Sequence, residues 1–134
     1  MNTMKSRWIL GWIPFILASA LIFHGSTLSP RALPPIFLRL DDKLVHGLEY
    51  FILFLLSANA FKRASQKWLV VYAASLAFGY CVLMGAVTET AQFFVPGRVP
   101  DLMDWAVDGL GAAFAWLILF FTALLSGKPS HELL

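Results

Sequence analysis

One cysteine, Cys81, stands among 134 residues. A single thiol closes no intramolecular disulfide and builds no cysteine-rich metal site. Charge is also scarce: 13% of residues are Asp, Glu, Lys or Arg, where soluble domains carry about 25%. No Lys/Arg run is long enough to follow a phosphate backbone, which argues against a nucleic-acid partner. Repeats and low-complexity tracts are missing. So are an HExxH motif and any two histidines at metal-ligand spacing. Apolar surface is what the chain has in plenty. Hydrophobic residues make up 59% of it and the mean hydropathy is +0.73. That balance argues against disorder, a soluble enzyme or a coiled coil. It points to one all-α integral membrane domain over residues 1–134.

A spanning helix needs about 20 apolar residues, because the hydrocarbon core is about 30 Å thick and the rise is about 1.5 Å per residue. Four stretches qualify, at about 8–24, 43–61, 68–94 and 102–125, so a four-helix bundle is expected. Pro14 lies in the first span and is expected to kink it, with a neighbour satisfying the freed carbonyl. Lys62, Arg63 and Lys67 bound a short turn, and Pro96, Gly97 and Pro100 mark another. Pro30, Pro34 and Pro35 predict an extended loop over 24–42. The residues from Ser126 to Leu134 read as a solvated tail. The first span shares two features with a signal peptide: Lys5 and Arg7 precede it, and Ala18-Ser19-Ala20 has a small-x-small pattern. Its apolar run continues through Leu21, Ile22 and Phe23, which favours a retained helix.

Charge sorting sets the expected orientation in a bacterial inner (cytoplasmic) membrane, with both termini cytoplasmic. The inner side then holds Lys5, Arg7, Lys62, Arg63, Lys67 and Lys128; the outer side holds Arg31, Arg39, Lys43 and Arg98. The acids sort more sharply. Only Glu132 falls inside, while Asp41, Asp42, Glu49, Glu89, Asp101, Asp104 and Asp108 fall toward the outer side. Acids contribute little to topology, so their sorting needs another cause.

The start of span two, the end of span three and the start of span four share one depth zone. On span two, Asp42, Lys43, His46, Glu49 and Tyr50 fall there, with His46 in i,i+3 and i,i+4 relation to Glu49 and Tyr50. Span three contributes Glu89 and Gln92. Arg98 follows in the turn, and Asp101, Asp104 and Asp108 take a three-then-four spacing on span four. That stripe continues through the small residues Gly111 and Ala115. Asp108 lies about 10 Å along the axis from Asp101 and is the deepest acid on span four. Charges at such depth avoid lipid, so these groups are expected to line an acidic, outward-facing pocket and to pair with His46, Lys43 or Arg98 or hold a proton.

Two segments of this constellation resemble the signatures of the VanZ-like family. One is Asp42-Lys43-Leu44-Val45-His46 with Tyr50 four residues on. The other is Glu89-Thr-Ala-Gln92-Phe-Phe-Val-Pro96-Gly-Arg98, followed by Asp101, Asp104, Asp108 and Gly111. The resemblance covers about residues 42–115. It implies a small four-helix membrane protein of bacteria, in a family named for low-level resistance to the glycopeptide antibiotic teicoplanin. One position departs from the pattern: Asp108 stands where the family usually has Asn.

Each polar residue also has a structural explanation. Glu89 and Arg98 are either an ion pair closing the turn or a ligand clamp. His46 is a hydrogen-bonded histidine at a helix start, a proton acceptor, or a metal ligand with Glu89, Asp104 and Asp108. No metal or other cofactor is expected, because no further ligand motif supports one. Cys81 is expected to pack, in a small stripe with Ala77 and Gly85, and Asn59 has no assigned partner. Three functions remain open. An envelope accessory protein would bind an amphipathic antibiotic, a lipid or a membrane-protein partner. An intramembrane enzyme would act on a lipid-linked envelope precursor, with His46 as base and Glu89 or Asp104 as acid or cation ligand. A proton- or cation-coupled carrier would use the deep Asp108.

Overall fold

The computed structural model describes residues 3–32 and 41–126, with side chains from residue 8 onward. Helix α1 runs over Thr3–Thr27, and a short 3-10 turn follows at Pro30–Ala32. Then come α2 (Asp42–Lys62), the short α3 (Lys67–Val71), α4 (Ala73–Gln92) and α5 (Leu102–Leu125). No strand occurs among the described residues. Four of these helices are long and apolar enough to cross a membrane.

Local chemistry starts α2 and α5 at the same end of the bundle. Asp41 has extended backbone and its carboxylate accepts the Leu44 N–H at 3.1 Å. Asp101 does the same for the Met103 N–H at 2.8 Å. Each is an N-cap, and Asp42 and Asp104 add negative charge in the first turn, where the helix dipole favours it. Four of the sorted acids thus have a local reason for their place. Glu49, Glu89 and Asp108 do not.

Helix α2 is the hub. It packs most extensively on α5 and also on α4 and α1. Tyr50, Leu53, Phe54 and Ala58 are buried on it, against the small residues Ala77 and Cys81 of α4 and Ala112 and Ala115 of α5. Small side chains let membrane helices approach closely. Leu17, Leu83, Leu110 and Phe114 point outward at 57%, 64%, 67% and 60% exposure, as lipid-facing residues do.

The third span differs from expectation at both ends. It breaks at Tyr72, where φ −100° and ψ 20° separate α3 from α4. The adjacent β-branched Val70 and Val71 favour helix less than their neighbours. It stops at Gln92 rather than Phe94, because the chain turns ahead of Pro96 and reverses at Gly97, whose φ of +85° suits glycine. The loop after the first span is also shorter than expected, since α1 continues to Thr27. The extended course expected at Pro34 and Pro35, the charges Arg39, Lys128 and Glu132, and the tail beyond Ser126 lie outside the described residues.

Pro14 sits inside an unbroken α1. Proline has no N–H for the carbonyl four residues back, and that carbonyl belongs to Leu10. Asn59 of α2 supplies the substitute: its Nδ2 donates to Leu10 O at 3.4 Å. The Asn59 Oδ1 is held in turn by Arg63 Nε at 2.8 Å. Replacing Asn59 by leucine should therefore cost about 1 kcal/mol. The cost should shrink in a Pro14→Ala background, where residue 14 regains its N–H. Thermal unfolding of the four proteins in detergent measures this; equal losses in both backgrounds would refute the substitution.

Candidate functional site

The polar end of the bundle holds two linked clusters. The first lies at the rim. Lys43 Nζ of α2 meets Asp104 Oδ1 of α5 at 2.8 Å and Asp101 Oδ2 at 3.3 Å. Asp104 is almost buried, whereas Lys43 and Asp101 are about half exposed. The Met103 N–H and the Lys43 ammonium hold the Asp101 carboxyl below the usual carboxylate range. Exposed pairs of this kind add little stability.

The second cluster lies one turn deeper. His46 Nδ1 hydrogen-bonds Asp108 Oδ1 at 2.9 Å, joining α2 to α5. Asp108 is 0% exposed, and its second oxygen, Oδ2, has no hydrogen-bond partner among the described residues. That oxygen rests against α4 at Gly85, where a Cβ would come within 2.9 Å of it. Glu89, one turn along α4 from Gly85, is 7% exposed. Its Oε1 accepts from Gln92 Nε2 at 3.1 Å, and its Oε2 accepts the Asp101 backbone N–H at 2.9 Å. One oxygen each from Glu89 and Asp108 and one nitrogen of His46 lie within 4.8 Å of one another. Asp42, His46 and Asp104 form a second such group, nearer the rim.

Below these, Tyr50 OH and Thr88 Oγ1 lie 3.0 Å apart, and Thr88 also donates to Gly85 O at 2.9 Å. Trp105 Nε1 donates to Val82 O at 2.9 Å and ties α5 to α4. A cavity of about 430 Å³ opens beside the cluster. Ala18, Leu21 and Ile22 of α1 and Ile52 of α2 form its apolar wall. Asp42, His46, Glu49 and Gln92 form its polar side, with Arg98 at the turn.

Of the residues singled out from sequence, the structure brings Lys43, Asp101 and Asp104 into one group and His46, Glu89, Gln92 and Asp108 into another. Tyr50 lies beneath the second. Asp42 and Glu49 line the cavity, and neither forms an ion pair with a Lys or Arg among the described residues. The ion pair that was one of the two readings of Glu89 and Arg98 does not form. Arg98 instead donates from Nε to Leu28 O at 3.2 Å and from Nη2 to Gly25 O at 3.4 Å. It thereby supplies a donor to Leu28 O, just past the end of α1, and a second donor to Gly25 O, which also accepts the Leu28 N–H at 3.2 Å. The helix reaching Thr27 is what puts those carbonyls within range.

Sequence reasoning missed the cavity wall on α1, because apolar residues in a spanning helix carry no signal of what they face. It also gave Thr88 no role. The i,i+3 spacing from Gly85 was visible, but the partner across the bundle was not. Trp105 was given no hydrogen-bond partner either, although an indole N–H needs an acceptor when partly buried.

A family model described as VanZ/LLP1 matches residues 3–124. The match covers both polar signatures and all but the last residue of the four spans. No curated protein and no solved structure matches the chain.

Proposed function

We propose that this chain, which belongs to the VanZ/LLP1 family, is an envelope accessory protein that takes an amphipathic ligand into the cavity beside α1. It would lie in the bacterial inner membrane with both termini cytoplasmic and the polar end outward, the orientation favoured by Lys5, Arg7, Lys62, Arg63 and Lys67. The observation that carries the reading is the two-sided cavity. Its volume of about 430 Å³ falls in the range of small-molecule sites. One side is apolar helix surface, and the other presents Asp42, His46, Glu49 and Gln92. A lipid-like molecule fits that division, with its chain against Ala18 and Ile22 and its head group toward Glu49 and Gln92. An envelope lipid and an amphipathic antibiotic of the teicoplanin type share this chemistry.

Ala18→Phe tests the proposal without touching a charged residue. It narrows the apolar side, so labelling of the purified protein by a photoreactive phospholipid should weaken about tenfold, a difference of roughly 1.4 kcal/mol. Labelling at the wild-type level, with peptides of α1 and α2 unlabelled in both proteins, would refute the proposal. A parallel competition with teicoplanin separates the antibiotic from the lipid.

A second reading has one observation in its favour. The His46–Asp108 pair, flanked by Glu89, is the kind of imidazole–carboxylate arrangement that hydrolases place beside a bound substrate. In that reading the cavity holds a lipid-linked envelope precursor and the cluster acts on its head group. Turnover of lipid-phosphate or lipid-sugar substrates, lost in His46→Gln, would support it. No turnover across a pH series would remove it.

A further inference from the structure

We propose that His46, Glu89 and Asp108 form a binding site for a divalent first-row transition cation of the Mn²⁺ or Zn²⁺ kind. This goes beyond the ligand proposed for the cavity and holds whatever fills it.

Three observations lead there. The first is proximity. A nitrogen of His46 and one oxygen each of Glu89 and Asp108 lie within 4.8 Å of one another, although they come from three different helices. Ligand atoms around an ion bound at about 2.0–2.2 Å stand roughly 3 Å apart. His46 Nδ1 and Asp108 Oδ1, at 2.9 Å, already have that separation.

The second is the orphaned oxygen. Asp108 is 0% exposed, yet its Oδ2 has no hydrogen-bond partner among the described residues. A buried carboxylate oxygen without a partner is costly, and native proteins seldom keep one without a reason. The oxygen is not crowded out by chance. Gly85 leaves the room for it, since any Cβ there would stand 2.9 Å away.

The third is charge. Glu89 and Asp108 bring two carboxylates into one nearly buried zone, and among the described residues His46 is the base beside them. The nearest ammonium, that of Lys43, is engaged by Asp101 and Asp104. A divalent cation would offset both carboxylates at once.

The donor set narrows the ion. One imidazole with two carboxylates suits Zn²⁺ or Mn²⁺ better than Ca²⁺, which prefers oxygen alone. Outer bonds already orient one ligand. Gln92 and the Asp101 N–H each hold one oxygen of Glu89 and leave lone pairs free. The alternative group of Asp42, His46 and Asp104 is the weaker candidate. Asp104 is bonded to Lys43, whose charge would oppose an ion there, and Asp42 is exposed.

The test uses the full chain, purified in detergent, stripped with a chelator and titrated with Mn²⁺ alone. Saturable loss of the free Mn²⁺ electron-spin signal is expected, with nitrogen hyperfine coupling from one imidazole and a raised Tm. Asp108→Asn and Glu89→Gln should each weaken binding about 100-fold, since even outer-shell losses cost 10–100-fold. No saturable binding by the wild type, or unchanged affinity in both variants, would overturn the site. Loss in Asp104→Asn with none in Asp108→Asn would also overturn it, by moving the ion to the rim. If Asp108→Asn fails to fold, Glu89→Gln and the nitrogen coupling in the unaltered protein decide.

Discussion

Gly111→Ala is expected to destabilise the bundle by about 3 kcal/mol, the upper part of the range for overpacked cores. A Cβ at this position runs into Gly47 O and would stand 2.9 Å from Gly47 C and 3.0 Å from its Cα. The obstacle is backbone on α2, so no rotamer relieves it. The α2 and α5 helices must separate, and theirs is the most extensive contact in the molecule. Two other glycines serve as controls. Gly47→Ala would meet only Val107 Cγ1 at 3.5 Å, an ordinary contact. Gly109→Ala would meet nothing within 4 Å. It should leave stability unchanged or raise it by up to about 1 kcal/mol, because alanine favours helix over glycine. Thermal unfolding in one detergent gives the comparison. A Gly111→Ala protein as stable as Gly109→Ala would mean that α2 and α5 do not cross at this point.

His46→Leu should cost a similar amount, about 3–5 kcal/mol, for a different reason. It removes the one hydrogen-bond partner that the fully buried Asp108 carboxylate has among the described residues. Breaking one side of a buried ionic pair leaves the other desolvated and uncompensated. The double variant His46→Leu/Asp108→Ala no longer has a carboxylate to strand. It should be more stable than His46→Leu alone, with a coupling of about 1–3 kcal/mol in the double-mutant cycle. Additive losses would show that the two residues do not act as a pair. Titrating Mn²⁺ into the same four proteins links this result to the proposed cation site, because only the unaltered protein keeps the full ligand set.

Much of the site was legible before any fold was known. The polar positions of the second, third and fourth spans had to meet, since connected spanning helices run alternately up and down. Lys43 was expected near the acids of α5, and it pairs with Asp101 and Asp104. The freed carbonyl at Pro14 was expected to find a neighbour, and Asn59 had no partner; the structure joins the two. The Glu89–Arg98 pair was not so readable. Both residues lie near one turn, but Arg98 reaches α1, a helix far away in the chain. Nothing in the local sequence says that α1 ends within its reach.

Sequence alone determined the helical class, the four spans and the end of the bundle that carries the acids. Hydrophobic transfer, proline's missing donor and aspartate caps act over a few consecutive residues, so one-dimensional order suffices to read them. Tertiary structure alone decided that His46 meets Asp108 rather than Glu49, that Gly111 lies on Gly47, and that α1 walls a cavity. Each residue of register advances a helical side chain about 1.5 Å and turns it about 100°. Partners at hydrogen-bond range therefore depend on how each helix is rotated and offset against its neighbours, and that is settled only when the whole bundle packs.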